Sequence, residues 1–224
     1  MKLFNDVARD WKDERNRIIG HVTLSPPISS DDGDEDSTDD WAVVEVYPSM
    51  IAKLNFVGNV IDLGSIAVDE LTAWVESSFK YHRSRLLRFC DLVSDKVFKA
   101  NFKTNVDHDN IMVMKNGSAS NLTIGCLNIV QAFVRTYSID GQPGKMSKEV
   151  CVPPRNSKSG SLSVRGDSGS AVIDGIGRVC GIITDGDGAT DVSDCPFVTS
   201  IRFLLKRLKS FGIEANIFPF ASDL

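Results

Sequence analysis

The sequence has few of the residues from which metal sites and disulfide frameworks are built. It contains three histidines (His21, His82 and His108) and five cysteines, which are odd in number, widely spaced and without a CxxC pair. This pattern favours reduced thiols inside a cell over a secreted disulfide framework. The segment Asp107-His108-Asp109 has no second pair of ligands at metal spacing, so we expect no metal and no other cofactor.

Long apolar stretches and an excess of positive charge are also absent. No run approaches the roughly 18 consecutive apolar residues of a membrane helix, and no apolar core follows Lys2 to form a secretory signal. A net charge of −5 over 224 residues argues against a nucleic-acid partner. We therefore expect an intracellular protein, in the cytoplasm or nucleus, without membrane or nucleic-acid partners, although a lost N-terminal segment could have carried a signal.

An acidic segment, SSDDGDEDSTDD at positions 29 to 40, contains no apolar side chain. Such a run repels itself and stays hydrated, which predicts an exposed loop. Asp32, Asp34 and Asp36 have the first three spacings of an EF-hand calcium loop. Positions 6 and 12 of that pattern are Ser37 and Val43, where glycine and glutamate are required, so the loop predicts no calcium site.

Apolar spacing divides the rest of the chain into helices and strands. Spacings of three and four predict helices over residues 3–11, within 66–100 and over 201–211. Runs rich in β-branched residues predict strands over 17–24, 41–47 and 57–63, and short glycine-punctuated strands follow from Ile111 onward. Short strands at such intervals are typical of a closed β-barrel or sandwich.

The most specific motif is the string GDSGS at residues 166–170, expected by chance about once in a million positions. A serine hydroxyl is a poor nucleophile and must be presented on a tight turn that glycine permits. The backbone amides of Gly166 and Ser168 can then converge on one point as an oxyanion hole. Two strands with an intervening turn follow the motif, over residues 170–186.

The segment GDSGSAVID…GRVCGIITDG resembles the nucleophile hairpin of trypsin-like serine peptidases (the chymotrypsin fold, PA clan). The resemblance implies that Ser168 is the nucleophile and that Gly166 and Ser168 supply the oxyanion amides. It implies that three residues border the substrate: Thr184, Asp185 and Gly186. It also implies that Leu162 forms the floor of the specificity pocket, where an apolar side chain would favour apolar substrates over lysine or arginine.

A second match concerns the acid of the catalytic triad. Asp40 precedes the strand WAVVEV as the catalytic aspartate precedes a strand in these peptidases, so the resemblance implies that Asp40 accepts the Nδ1 proton of a histidine. Asp39 would point to the other face, and the alternative is that Asp40 simply ends the acidic loop. Weaker similarity over residues 17–63 and 113–125 is closest to intracellular, fungal-type members.

The histidine of the triad is not found. The family order is histidine, aspartate, serine, and His21 is the one histidine before Asp40. It lies within RIIGHVTL, which resembles the strand after the catalytic histidine. Either His21 serves as the base, or the chain is N-terminally truncated and starts after the first strand pair. His82 and His108 follow the aspartate and are expected to be exposed.

Together these features predict an all-β, trypsin-like double barrel. Residues 1–65 would form an incomplete first barrel with an N-terminal helix, residues 66–108 a helical linker, and residues 109–224 an intact second barrel with a C-terminal helix. The expected function is that of a serine endopeptidase homologue, inactive as written because the histidine is absent. The alternative is a non-catalytic, peptidase-like module that binds a protein partner; a third possibility is an unstable fragment. In the first two cases the partner is a polypeptide.

Overall fold

A computed structural model gives the fold, and it describes most of the chain. The described residues are 5, 8–9, 11–30, 37–48, 56–64, 84–94, 111–127, 131–137, 141–154, 159–187 and 195–223. The strands are β1 Gly20–Leu24, β2 Ser29–Ser30, β3 Thr38–Asp39, β4 Val43–Val46, β5 Val60–Asp62, β6 Leu86–Arg88, β7 Asp91–Leu92, β8 Ile111–Gly117, β9 Asn121–Leu127, β10 Gln131–Tyr137, β11 Pro143–Cys151, β12 Ala171–Asp174, β13 Arg178–Asp187 and β14 Cys195–Ser200. One α-helix, α1 Ile201–Ser210, and 3-10 turns at Glu14–Arg17 and Ala221–Asp223 complete the described elements.

A curled eight-stranded sheet occupies the second half of the chain. Its strand order is β10-β11-β14-β13-β12-β8-β9, with β7 beside β13. Every pair is antiparallel except β7 with β13. The strands predicted from Ile111 onward and the predicted C-terminal helix are confirmed. The described residues are therefore mainly β, with a curled half-barrel sheet and one C-terminal α-helix.

Both faces of this sheet are buried. Val113 and Met114, adjacent on β8, belong to different apolar clusters, and so do Val172 and Ile173 on β12. Because successive side chains of a strand point to opposite faces, apolar residues at consecutive positions require a cover on each side. Strands β5 and β6 and helix α1 cover one face with the side chains of Ile61, Leu63, Leu87, Ile201, Phe203 and Leu204.

The first half of the chain forms separate two-stranded ribbons. β1 pairs with β4, β2 with β3, and β5 with β6. No strand pairing among the described residues joins these ribbons into one sheet. The division into two barrels and the incomplete first barrel therefore stay predictions.

The predicted helical linker is wrong over residues 84–94, which form β6 and β7. Leu87 is buried between the less buried Leu86 and Arg88, and this alternation is typical of a strand. The remainder of the predicted linker, with His82 and His108, lies outside the described residues. Of the predicted N-terminal helix, residues 5, 8 and 9 are helical, Trp11 lies in a turn, and the others lie outside the described residues.

The acidic segment 29–40 is not wholly exposed, contrary to the prediction. β2 pairs with β3, and Ser37 and Asp39 are 7% and 2% exposed. The Ser37 hydroxyl donates a hydrogen bond to the Lys148 carbonyl, so this end of the segment docks on β11. Burial is tolerated because the polar groups find partners. Residues 31–36 lie outside the described residues.

Two cysteines form a disulfide, so the expectation of reduced thiols is wrong for them. Cys151 on β11 and Cys195 on β14 are 44 residues apart in sequence, and their Cα atoms are 5.8 Å apart. Pairing of β11 with β14 brings them together, which sequence spacing alone does not reveal. The argument from reduced thiols for an intracellular location therefore loses its basis.

Candidate functional site

The turn that carries Ser168 is tight and depends on glycine. Gly166 and Gly169 have φ of 106° and 85°, a region that side-chain-bearing residues rarely adopt. The turn is closed by backbone hydrogen bonds from Asp167 N–H to the Val164 carbonyl and from Ser170 N–H to the Asp167 carbonyl, both 3.0 Å. Ser168 is exposed at its top. The local backbone thus presents the serine hydroxyl to solvent.

The N–H groups of this turn fall into two sets. Those of Asp167, Gly169 and Ser170 donate to backbone carbonyls. Within the described part of the chain, the amides of Gly166 and Ser168 and the Ser168 hydroxyl make no hydrogen bond. These unpartnered donors include the groups that the sequence assigns to the oxyanion hole and the nucleophile; the Arg165 amide is also unpartnered there, and the catalytic role of the former stays a prediction.

Asp167 anchors the turn to the body of the sheet. Its Oδ2 lies 2.7 Å from Lys115 Nζ, and both side chains are 0% exposed. The carboxylate also accepts hydrogen bonds from the Ser120 hydroxyl (2.6 Å) and from the amides of Val164 (3.1 Å) and Ala119 (2.9 Å). Burial opposes ionisation of Asp167, but these hydrogen bonds, with Lys115 foremost, outweigh it and hold the pKa of the carboxyl well below its usual range.

The hairpin of β8 and β9 clamps the nucleophile turn from one side. The Ser118 hydroxyl donates to the Gly166 carbonyl at 2.9 Å. Gly117 leaves no room for a side chain, because a Cβ there would overlap the Asp167 carboxylate and crowd the Ser170 hydroxyl. Sequence reasoning missed Lys115 and this clamp. The signal was a single lysine inside the apolar strand IMVMKNG.

Strand β13 brings the predicted substrate-binding residues beside the turn. Gly169 N–H donates to the Ile183 carbonyl (2.7 Å), and Ile183 N–H donates to the Ser170 carbonyl (3.0 Å). Ile183 directly precedes Thr184, Asp185 and Gly186, so the predicted cleft residues begin where the nucleophile turn meets β13. A register shift between Ile183 and Asp185 also interrupts the pairing with β14 at this point.

Leu162 lies in the core. Its side chain is 0% exposed and belongs to the apolar cluster that includes Val113 and Val172. The Thr123 hydroxyl donates to its carbonyl. Contact between the Leu162 side chain and a substrate would need neighbouring side chains to move, and its role as the pocket floor stays a prediction.

Of the two adjacent residues Asp39 and Asp40, it is Asp39 whose carboxylate forms hydrogen bonds and an ion pair in the described part of the chain. Asp39 Oδ1 accepts from Trp41 Nε1 (2.5 Å), and its Oδ2 accepts from Arg207 Nη2 (2.5 Å) and Nε (3.0 Å) on α1. Asp40 is half-buried, and its carboxylate makes no hydrogen bond or ion pair in the described part of the chain. Among the described residues, neither Asp40 nor His21 makes a hydrogen bond with Ser168.

His21 lies on the β1–β4 ribbon. Its Nε2 is 3.6 Å from Glu45 Oε2, and its ring is tilted 37° to that of Tyr47, with centroids 6.0 Å apart. The side chain is 55% exposed. These contacts connect His21 to β4, and whether it acts on Ser168 stays a prediction.

A buried carboxylate that the sequence did not single out lies behind Thr184. Glu149 on β11 is 3% exposed and accepts hydrogen bonds from Thr38 N–H (2.6 Å) and the Thr199 hydroxyl (3.0 Å). The Thr199 and Thr184 hydroxyl oxygens are 3.3 Å apart. Glu149 therefore connects the end of the acidic segment to the predicted cleft through two hydroxyl groups.

Neither a metal cluster nor a membrane helix is seen in the ranges that the structure describes. No group of three or more His, Cys, Asp or Glu side chains there is arranged to hold a metal ion. No helix in those ranges is long and apolar enough to cross a membrane.

No protein-family model matches the chain, and no curated protein does. Solved structures of serine proteases are similar. A glutamic acid specific serine protease that utilizes a histidine triad in substrate binding has a TM-score of 0.44 and 16% identity, over 80% of this chain and 71% of that one. Cellulomonas bogoriensis chymotrypsin has a TM-score of 0.29 and 18% identity, over 50% and 53%. The Rv3671c protease of M. tuberculosis has a TM-score of 0.33 and 16% identity, over 53% and 52%. All three TM-scores are low.

Proposed function

We propose that this chain is a serine endopeptidase homologue with Ser168 as the nucleophile and the amides of Gly166 and Ser168 as the oxyanion hole. One observation supports the proposal above all: these donors are unpartnered, whereas the amides of Asp167, Gly169 and Ser170 are bonded and Asp167 is fixed by Lys115. Donors held in place before reaction stabilise the oxyanion, each by about 3 to 4 kcal/mol of barrier.

The family reaction is hydrolysis of a peptide bond through an acyl-enzyme. Ser168 Oγ would attack the scissile carbonyl, and a base must take the hydroxyl proton and return it to the leaving amine. Asp40 would orient that base. Loss of the histidine from such a triad lowers turnover about a million-fold, which leaves roughly a thousand-fold advantage over water.

We therefore propose that the chain, as written, does not work as a peptidase. No histidine in the described residues contacts Ser168, and the recorded contacts of His21 are with Glu45 and Tyr47. The substrate class of the active relatives implied by the motif is a polypeptide that lies along Thr184 to Gly186.

A fluorophosphonate probe tests both parts of this proposal, because it reacts with a serine only when a base activates the hydroxyl. The full chain, Ser168→Ala, His21→Gln and His108→Gln are incubated with the probe and with a peptide library. We expect no peptide cleavage, and we expect labelling of the full chain no faster than that of Ser168→Ala.

Rapid labelling that Ser168→Ala abolishes would show that a base is present and would contradict inactivity. If His21→Gln also abolished that labelling while His108→Gln did not, His21 would be the base. Labelling at another serine would contradict the assignment of Ser168.

A further inference from the structure

We propose that the turn at Gly166–Ser168 binds the free C-terminal carboxylate of a polypeptide. The inference rests on the proposed function, since it assigns a ligand to the same turn. It starts from three unpartnered donors within three residues: the N–H groups of Gly166 and Ser168 and the hydroxyl of Ser168. Groups of successive backbone N–H donors in glycine turns are a recurrent form of anion site.

Because the proposed site lacks a base, these donors favour a ligand that already carries a negative charge. In a working peptidase the negative oxygen is created during the reaction, after the serine has lost its proton. Without a base that oxygen does not form on a neutral peptide carbonyl. A carboxylate already carries the charge, and the Ser168 hydroxyl keeps its proton and donates it as a third hydrogen bond. Charge-assisted hydrogen bonds of this kind are stronger than neutral ones.

The local charges permit an anion at this position. Asp167, the nearest carboxylate in sequence, is compensated by the buried Lys115 Nζ at 2.7 Å. Arg165 directly precedes Gly166 and is exposed, so a cationic side chain is adjacent to these donors in sequence. An arriving carboxylate therefore meets donors flanked by a cationic residue.

The fold also indicates why the carboxylate would belong to a polypeptide. The turn is hydrogen-bonded directly to Ile183, the residue before the predicted substrate strand Thr184 to Gly186. A chain lying along that strand reaches Ser168 with the carbonyl that a peptidase would cleave. If the chain ends there, the same position holds its terminal carboxylate. Such capture of a C-terminus by backbone donors is an established mode of peptide recognition.

The test compares peptides that differ in one group. Acetyl-Ala-Ala-Ala peptides ending in Leu, Glu or Lys are prepared with a free carboxylate and with a C-terminal amide, and acetate and inorganic phosphate serve as free anions. Binding is followed by the ¹H–¹⁵N signals of Gly166 and Ser168 in the full chain and in Ser168→Ala, which cannot cleave peptides. Gly166→Ala is compared with Gly141→Ala, since both glycines have positive φ but Gly141 lies two residues before β11.

We expect at least one peptide acid to bind about tenfold more tightly than its amide, with downfield shifts of the Gly166 and Ser168 protons. Ser168→Ala should keep this preference and lose a few-fold in affinity, because both amides remain. Gly166→Ala should lose it, and Gly141→Ala should not.

Equal binding of acids and amides, or no binding of either, would overturn the inference. Acetate or phosphate binding as tightly as the peptide acids would overturn its polypeptide part. Neither result tests the proposed inactivity, which fails if the chain labels rapidly at Ser168 or cleaves peptides. The Ser168→Ala comparison reports on carboxylate binding even then.

Discussion

At the scale of single residues, Lys115 and Asp167 form the buried ion pair beside Ser168. A buried charge is tolerated when it is paired and hydrogen-bonded, and Asp167 accepts bonds from Lys115, Ser120, Val164 and Ala119. The pair fixes the residue next to Ser168, so its removal should disturb the nucleophile turn before any other part of the sheet.

Lys115→Met should lower the free energy of unfolding by about 3 to 5 kcal/mol, because it leaves the Asp167 carboxylate buried without a cation. Urea denaturation measures the change. Lys209→Met, at an exposed position on α1, is the matched control and should stay within about 0.5 kcal/mol. A loss below about 1 kcal/mol in Lys115→Met would contradict the role given to the pair.

The pH dependence of stability follows from the same carboxyl group. The pKa of Asp167 is lowered in the folded protein, whereas an aspartate in the unfolded chain has a pKa of about 3.9. Between these two values the unfolded chain binds more protons, so stability rises with pH and the contribution is complete above about pH 5. Asp167→Asn should flatten the fall in stability between about pH 4 and 2. If the free energy of unfolding fell equally with pH in the wild type and in Asp167→Asn, this assignment would be refuted.

At the scale of elements, the contact between β3 and α1 involves Asp39 but not the adjacent Asp40. Asp39 bonds Arg207, and Trp41 packs edge-on against Phe211 with ring centroids 5.3 Å apart. Asp40 takes no part in this packing. The structure thus gives Asp39 a stabilising role, and a catalytic role for Asp40 stays a prediction.

The pair Asp39→Asn and Asp40→Asn tests this separation with the same chemical change at neighbouring positions. Asp39→Asn should lower the free energy of unfolding by about 1.5 to 3 kcal/mol, because charged hydrogen bonds to Arg207 are weakened. Asp40→Asn should change it by less than about 0.5 kcal/mol. Thermal and urea unfolding of both variants provide the measurement, and a larger effect at Asp40 would reverse the assignment.

Element types were predictable from sequence where a single pattern extends over a whole segment. Strands from Ile111 onward and helix α1 have consecutive or periodic apolar residues that no other structure buries as well. Residues 84–94 were predicted wrongly because the short apolar run before Arg88 and Cys90 fits a strand and a helix equally. The acidic segment was misjudged at Ser37 and Asp39, because their partners Lys148 and Arg207 are more than 100 residues away in sequence.

At the scale of the whole molecule, the Cys151–Cys195 disulfide closes a loop that contains every predicted site residue after Leu162. By the chain-entropy model, a bridge across 44 residues contributes about 4 kcal/mol. The double variant Cys151→Ser, Cys195→Ser should lose about that much, and Cys90→Ser should lose less than about 1 kcal/mol. A thiol reagent should titrate three free cysteines in the unfolded, unreduced chain. A titration of five would contradict the disulfide.

The candidate site was predictable only in part for a physical reason. GDSGS specifies a local turn, so Ser168 and its neighbours could be named from sequence. The residues that hold the site in place come from distant strands. Lys115 on β8 bonds Asp167, and Glu149 on β11 accepts a hydrogen bond from Thr199. Such pairings depend on strand order and register, and no spacing in the sequence encodes them.

Amide hydrogen exchange resolved by NMR across residues 164–170 tests most directly whether the N–H groups of Gly166 and Ser168 are free donors. The account predicts rapid exchange at Gly166 and Ser168, whose N–H groups are unpartnered in the described structure, and slower exchange at Asp167, Gly169 and Ser170, whose N–H groups are bonded. Protection at Gly166 and Ser168 equal to that of Gly169 would show that these donors are already occupied, and a site built on them could not exist.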